Sequence, residues 1–251
     1  MYQERKYRRF MNPYRFTAFE ISYRETDLWV AVNGDVSVNQ LSTELEIFIR
    51  SLRIQLDRYI ERHQLFNLSF QPVDLLPGAP TLAVTMAQAA ACADVGPMAA
   101  VAGAFADTVG KLLVGYYGLN EAIVENGGDC FISVKEPLQY TVFAGESPLS
   151  EKLALSIDRP GTYGICTSSG TVGHSFSFGK ADAVTIVCDT TVQADAYATA
   201  YANKIQNEDD VERVIAEIRR KKDIVSAVAI CGEKAGICGN FPVYPLEKEI
   251  V

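Results

Sequence analysis

The apolar region at residues 81–119 limits the fold most strongly, because it is long and yet built mainly from Ala and Gly. It is broken by a Gly-Pro pair and by three charged residues, which a membrane span would not carry. The interruptions are Asp94, Gly96, Pro97, Asp107 and Lys111. We therefore predict two buried helices divided at the Gly-Pro pair. Small residues in the second helix allow close approach to another helix or to a ligand, and tight helix packing is enough to explain them.

Hairpins account for much of the remaining chain. Apolar and polar residues alternate on both sides of short turns at residues 25–27, 127–128 and 232–234. A strand-turn-strand unit is expected at 151–170 and a buried strand at 181–190. Helices are expected at 41–63, 192–205 and 207–222. This interleaving predicts an α+β fold with antiparallel or mixed sheets in a single domain, residues 1–251.

Three finer expectations concern the helices. Thr43 and Glu46 have the spacing of a capping box, and His63 stands at the C-terminal end of the same helix, where we expect a structural role. An Ala-Asp pair occurs in two small-residue helices, at Asp107 and at Asp195. This echo suggests an internal duplication.

Charge and cysteine content narrow the class of protein. The net charge of -8 makes nucleic acid an unlikely partner, although residues 1–15 form a basic stretch that could act as a separate arm. The six cysteines form no C-x-x-C pair, which predicts free thiols in a reducing compartment and argues against zinc. No secretory signal is visible, so we expect a cytoplasmic protein without a membrane anchor.

The stretch "TSSGTVGHSFSFGKADAVTIV" at residues 167–187 invites comparison with known loops. Gly173 is one residue too far from Gly179 for a P-loop, and a strand follows where a helix would be needed. The G-x-S-x-G pattern of hydrolases is absent. Two interpretations remain open, a phosphate-binding loop rich in hydroxyls and glycine, or a plain turn. His174 could act as a base or simply stabilise the turn.

A second candidate site lies in "ADAYATA". Asp195 and Thr199 are four residues apart, so a helix places them on one face. A carboxylate and a hydroxyl are hard oxygen ligands that suit Mg²⁺. The alternative is a structural pair, with the Asp favouring the helix dipole and the Thr bonded back to its own helix.

Four segments follow one another in an order that resembles the ApbE-like family, the FAD:protein FMN transferases. They are "ENGGDC", "GICTSSG", "ADAVTIV" and "ADAYATA", and they resemble a Gly-Gly-Asp turn, a Thr-Ser-Gly loop, a strand and an Ala-Thr-Ala helix of that family. The similarity spans roughly the last two-thirds of the chain and places "GPMAAVAGAFAD" on the family's small-residue helix. That segment resembles an uncharacterised cytoplasmic branch in particular.

The resemblance implies an ApbE-like fold and a set of site residues. Asp195 and Thr199 match side-chain ligands for Mg²⁺, and His174 is the candidate catalytic residue. FAD or FMN is the implied cofactor, in a cleft that takes a small phosphorylated ligand. The residues that match the walls of this cleft are Gly103, Asp107, Asn126, Gly127, Gly128, Asp129, Thr167, Ser168, Ser169 and Gly170.

Two departures keep more than one function open. Ala102 stands where the family's A-K-G motif has lysine, and "HSFSFGKAD" replaces its H-x-x-D-P-x-T-G segment. The chain is therefore either a Mg²⁺-dependent binder of a phosphorylated ligand, with FMN-transferase-like activity if it is an enzyme, or a binding module without that chemistry. A third interpretation is a thiol-dependent accessory protein of sulfide or homocysteine metabolism that uses Cys130 or Cys166. A homo-oligomer is compatible with each.

Overall fold

A computed structural model describes residues 15–34, 36–171 and 177–246. The strands are β1 (Thr17–Tyr23), β2 (Thr26–Asn33), β3 (Glu121–Asn126), β4 (Asp129–Val134), β5 (Leu138–Thr141), β6 (Leu153–Ile157), β7 (Gly161–Ser168), β8 (Ala183–Cys188), β9 (Ile224–Cys231), β10 (Lys234–Gly239) and β11 (Val243–Pro245). The helices are α1 (Val38–Arg62), α2 (Gln64–Leu68), α3 (Thr81–Ala93), α4 (Val101–Gly115), α5 (Thr191–Ala202) and α6 (Asp210–Ile218), with a 3₁₀ turn at Pro97–Ala100.

The strands form two antiparallel sheets. The large sheet has the order β1-β2-β3-β4-β7-β8-β9-β10, and the small sheet has the order β11-β6-β5. Hairpins at β1–β2, β3–β4 and β9–β10 match the sequence expectation, and so does the α+β class. The small sheet was not predicted as a unit, because β5 and β11 have only 4 and 3 residues and show no periodicity.

The large sheet repeats one order of elements twice. In each half, a hairpin is followed by helices and then by a second hairpin, and the strand before the helices pairs with the strand after them. The two Ala-Asp helices do not occupy corresponding places in this repeat. The first, α4, is the last helix of its half, whereas α5 is the first helix of the other half.

Both faces of the large sheet are covered. Leu28, Val124 and Phe131 face the helices and pack with α1, α3 and α4, while Trp29 and Ile165 face the small sheet. Side chains of a strand alternate between the two faces, so a sheet covered on both sides needs apolar residues at consecutive positions. This explains why all six residues of β3, of β4 and of β8 are buried.

The small residues of α4 serve close packing, as the sequence suggested. A Cβ added at Gly110 would lie 2.1 Å from the ring of Phe131. In the described part of the chain, Pro97–Gly115 is the one helical stretch whose length and composition would allow a membrane span, and half of it is buried inside the protein. It packs against α5 and the large sheet as a core element.

Some local expectations were wrong and others are confirmed. The capping box at Thr43 and Glu46 does not form, because α1 begins earlier, at Val38, and Thr43 Oγ1 donates to Asn39 O within the helix. His63 has the expected structural role: it is buried, with Nε2 2.9 Å from Asp74 O. None of the six cysteines, all of which lie in the described residues, forms a disulfide, and all are at least partly buried except Cys92, which is exposed.

Candidate site at the α4–α5 crossing

The candidate residues of β3, β4 and β7 meet at one end of the large sheet. The chain leaves β3 at Asn126, turns at Gly127 and Gly128, and enters β4 at Asp129. Both glycines have positive φ, 70° and 104°, which a tight turn requires. Across to β7, Gly128 O accepts the N–H of Thr167 at 3.3 Å.

The turn is also tied to the start of α4. Asn126 Nδ2 donates to Ala102 O at 3.1 Å, and the N–H of Gly128 donates to Glu125 Oε1 at 2.7 Å. These bonds hold the hairpin end beside the first turn of α4. The structure thus brings Gly103 and residues 126–129 together, although they are far apart in sequence.

Helices α4 and α5 cross through two reciprocal contacts. Asp195 of α5 accepts the N–H of Gly103, in the first turn of α4, at 2.7 Å. Asp107 of α4 accepts the N–H of Thr191, the first residue of α5, at 3.1 Å. Carboxylates suit helix N-termini because the first N–H groups lack partners within the helix. The two Ala-Asp pairs of the sequence are therefore the two sides of one contact, which we call the α4–α5 crossing (Gly103, Asp107, Thr191 and Asp195).

Gly103 is needed at this crossing for steric reasons. A Cβ at this position would lie 2.6 Å from Asp195 Cβ and 2.6 Å from Thr191 O. Any larger residue would push the two helices apart. The glycine of the family motif thus sets the distance at which the Asp195 carboxylate meets α4.

Asp195 is a buried carboxylate with little compensation. Its residue is 8% exposed, and the N–H of Gly103 is the one hydrogen bond that its side chain accepts from the described residues. Burial raises the pKa of Asp195 to about 7, against the opposing effect of that N–H. The second carboxylate oxygen has no partner in the described residues. Thr199, half-buried, stands one helical turn further along the same face.

These residues fit Mg²⁺ better than an ion that needs a complete protein cage. No group of three or more His, Cys, Asp or Glu side chains suited to a metal occurs among the described residues. Mg²⁺ keeps several waters and is commonly held by one or two carboxylates together with substrate phosphates. Asp195 and Thr199 would supply one carboxylate and one hydroxyl, and waters or the oxygens of a bound phosphate would supply the remaining ligands.

The C-terminal end of β7 places its side chains alternately on the two faces of the sheet. Cys166 Sγ faces α5 and donates to Thr191 O at 3.3 Å, whereas Thr167 Oγ1 lies 2.8 Å from Thr185 Oγ1 and 3.2 Å from the Tyr140 hydroxyl, on the small-sheet side. By alternation, Ser168 returns to the side of Asp195. In the loop after β7 the N–H of Gly170 already donates to Ala181 O, as the N–H of Thr167 does to Gly128 O.

The thiols near the site are buried. Cys166 is fully buried, and desolvation followed by the charge of Asp129 raises the pKa of its thiol. Cys130 is 3% exposed. A reactive cysteine needs a lowered pKa and access to solvent, so the burial of both thiols favours a packing role. His174 and residues 1–14 of the basic stretch lie outside the described residues.

Sequence reasoning missed part of this geometry. Lys111 forms an ion pair with Asp107 Oδ2 at 2.5 Å, and Tyr140 reaches Thr167 from the small sheet. The spacing of Lys111 four residues after Asp107 was visible on a predicted helix. Tyr140 gave no signal, since its strand was not foreseen.

The fold and the crossing together define an α+β protein with a carboxylate site where two helix N-termini meet one end of the central strands of an antiparallel sheet. A family model described as "AbpE bacteria" matches residues 8–230. The chain belongs to this family.

Archaeal proteins are similar to this chain in sequence. The chain is 43% identical over 197 residues to a "UPF0280 protein" of Methanospirillum hungatei JF-1, covering 77% of this chain and 78% of that one. It is 36% identical over 239 residues to another of Methanococcus maripaludis C7, covering 92% and 93%.

Solved structures share the fold. The flavin transferase ApbE from Vibrio cholerae, as its H257G mutant, superposes with a TM-score of 0.60 at 14% identity and covers 92% of this chain and 97% of that one. The apo flavinyl transferase ApbE of Pseudomonas stutzeri gives 0.59 at 14% identity, covering 92% and 95%. The expected ApbE-like fold is confirmed.

Proposed function

We propose that this chain binds a small phosphorylated ligand, a flavin nucleotide such as FAD or FMN or a smaller phosphate ester, together with Mg²⁺ at the α4–α5 crossing. Asp195 and Thr199 hold the ion. The ligand lies against Gly103, the hairpin end 126–129 and the loop 168–170. The flavin part of the proposal is supported by the fold shared with flavin transferases, and the phosphate part by the donor set of the site.

The observation that carries the proposal is the uncompensated Asp195 carboxylate. A buried charge is costly unless it is paired, and here a single N–H opposes desolvation. A divalent cation bound to the free oxygen would supply the missing charge. Thr199 would contribute its hydroxyl from the same helix face.

Each neighbouring residue has a role in this arrangement. Gly103 fixes the carboxylate through its N–H, and Asn126 holds the Gly127–Gly128 turn against α4, where glycine permits close approach of a ligand. When bound, Mg²⁺ would neutralise charge on phosphate oxygens. We assign binding as the function and place group transfer second, because Ala102 replaces the lysine of the family motif. The lack of disulfides among the six described cysteines supports a cytoplasmic location.

Calorimetry tests this proposal. The full chain is titrated with FAD, FMN and inorganic phosphate, each in Mg²⁺ and in EDTA. We expect binding of at least one of them in Mg²⁺ and a loss of at least about 10-fold in affinity in Asp195→Asn, which keeps the acceptor for Gly103 but removes the charge. Glu217→Gln, on α6 in a partly exposed ion pair with Lys204, is the matched control and should bind as the parent does. Absence of Mg²⁺-dependent binding, or unchanged affinity in Asp195→Asn, would refute the proposal.

A further inference from the structure

The two aspartates of the α4–α5 crossing make equivalent contacts. Each is buried, Asp107 at 6% exposure and Asp195 at 8%, and each accepts one N–H from the first turn of the opposite helix. Each is also followed, four residues later, by a residue on the same helix face. That residue is Lys111 after Asp107 and Thr199 after Asp195.

The difference between the two sides is the source of positive charge. Lys111 Nζ lies 2.5 Å from the second oxygen of Asp107, so this carboxylate has both an N–H donor and a cation. At Asp195 the second oxygen has no such partner in the described residues, and Thr199 offers a neutral hydroxyl. One side of the crossing is closed by its own ammonium group, and the other is open.

We infer that Lys111 is a built-in cation that limits the α4–α5 crossing to a single divalent metal ion. The inference rests on the proposed metal site at Asp195. Lys111 occupies the oxygen of Asp107 that a second ion would need, and its charge repels such an ion. The consequence for ligand chemistry is a site with one metal ion, in which phosphate oxygens and waters complete the coordination, and not a pair of ions that clamps a phosphate from two sides.

Replacing Lys111 by Thr, and separately Thr199 by Lys, tests the inference. Mn²⁺ is the probe, because free and bound ions are distinguished by electron paramagnetic resonance, and the full chain is titrated with Mn²⁺ alone. The parent is expected to bind one ion. Lys111→Thr, which copies the Asp195 side, is expected to bind two, and Thr199→Lys, which copies the Asp107 side, is expected to bind none. Lys111→Arg keeps the charge and should bind one, as the parent does.

Folding and metal binding are separated by a second measurement. Thermal unfolding of each variant is recorded in EDTA and in Mn²⁺. The Lys111 side chain is 57% exposed, so its replacement removes little packing. Thr199→Lys is expected to unfold at one temperature in both buffers, since the ammonium replaces the ion. Lys111→Thr is expected to gain more from Mn²⁺ than the parent does.

The four results for the parent and Lys111→Thr separate the two claims. One ion in the parent and two in the variant support both. One ion in each overturns the role of Lys111 and leaves the Asp195 site standing. No ion in the parent and one in the variant overturns the Asp195 site but supports Lys111 as the blocking group. No ion in either overturns both.

Discussion

The two ends of the large sheet hold buried acidic residues in opposite situations. At the end away from the site, Glu121 is 3% exposed and accepts hydrogen bonds from the Arg15 guanidinium, from Asn33 Nδ2 at 3.0 Å and from the N–H of Lys135 at 2.7 Å. The Arg15 guanidinium above all holds the pKa of Glu121 down at about 2, despite burial.

Asp195, at the other end, is also little exposed but lies deeper in the protein and accepts one N–H, and desolvation raises its pKa to about 7. Solvent exposure alone therefore does not distinguish the two carboxylates, whereas their depth in the protein and the number and charge of their donors do. A carboxylate surrounded by donors stabilises the fold. One that is buried with a single donor is costly to the fold, and such groups concentrate at sites that bind ions or ligands.

The largest change in the free energy of unfolding is expected from removing the charge of Glu121. Glu121→Gln leaves the Arg15 guanidinium without its counter-charge, and we expect the free energy of unfolding to fall by about 3 kcal/mol. Urea unfolding at pH 7 measures it. Glu217→Gln removes a partly exposed partner of Lys204 and Arg213 and should cost less than about 1 kcal/mol.

The pH dependence of the stability of the parent and of Glu121→Gln is an independent check. Glu121 has a pKa of about 2 in the folded chain and an ordinary value of 4.5. The folded state therefore binds fewer protons in that interval, so the contribution of Glu121 is complete above pH 4.5 and is lost as the pH falls toward 2. The stability difference between the parent and Glu121→Gln should shrink over this range. A constant difference would show that the charge of Glu121 is not the cause.

A smaller loss is expected from crowding the crossing. Gly103→Ala places a Cβ 2.6 Å from Asp195 Cβ, so α4 and α5 must separate, and we expect a cost of about 1–3 kcal/mol in unfolding free energy. Gly115→Ala is the control, because it ends the same helix with no atom within 4 Å of the added Cβ, and alanine there should be neutral or slightly stabilising. Equal effects at both glycines would contradict the close contact.

Much of this fold could be predicted from the sequence. The different surroundings of the Glu121 and Asp195 carboxylates could not. Alternation and helical spacing are local signals, so three hairpins and the long helices were predictable, although the true start of α1 was not. Nothing local separates Glu121 from Asp195, since each is one acidic residue in an apolar segment. Arg15, which decides the state of Glu121, is 106 residues away, and Gly103 is 92 residues from Asp195. The motif order identified Asp195 as a candidate, but its lack of donors became visible in the folded chain.

The smallest change in the free energy of unfolding is expected at Asp195, where replacement should not destabilise the protein. Asp195→Asn keeps an oxygen for the N–H of Gly103 and removes a charge that burial disfavours, so the metal-free protein should keep its stability or gain up to about 1 kcal/mol. Urea unfolding in EDTA measures this, beside Glu121→Gln as the matched amide replacement. In Mg²⁺ the parent should become more stable than Asp195→Asn, because only the parent gains stability from binding the ion. A metal-free loss comparable to that of Glu121→Gln would mean that both carboxylates are structural, and would remove the physical basis for an ion site at the crossing.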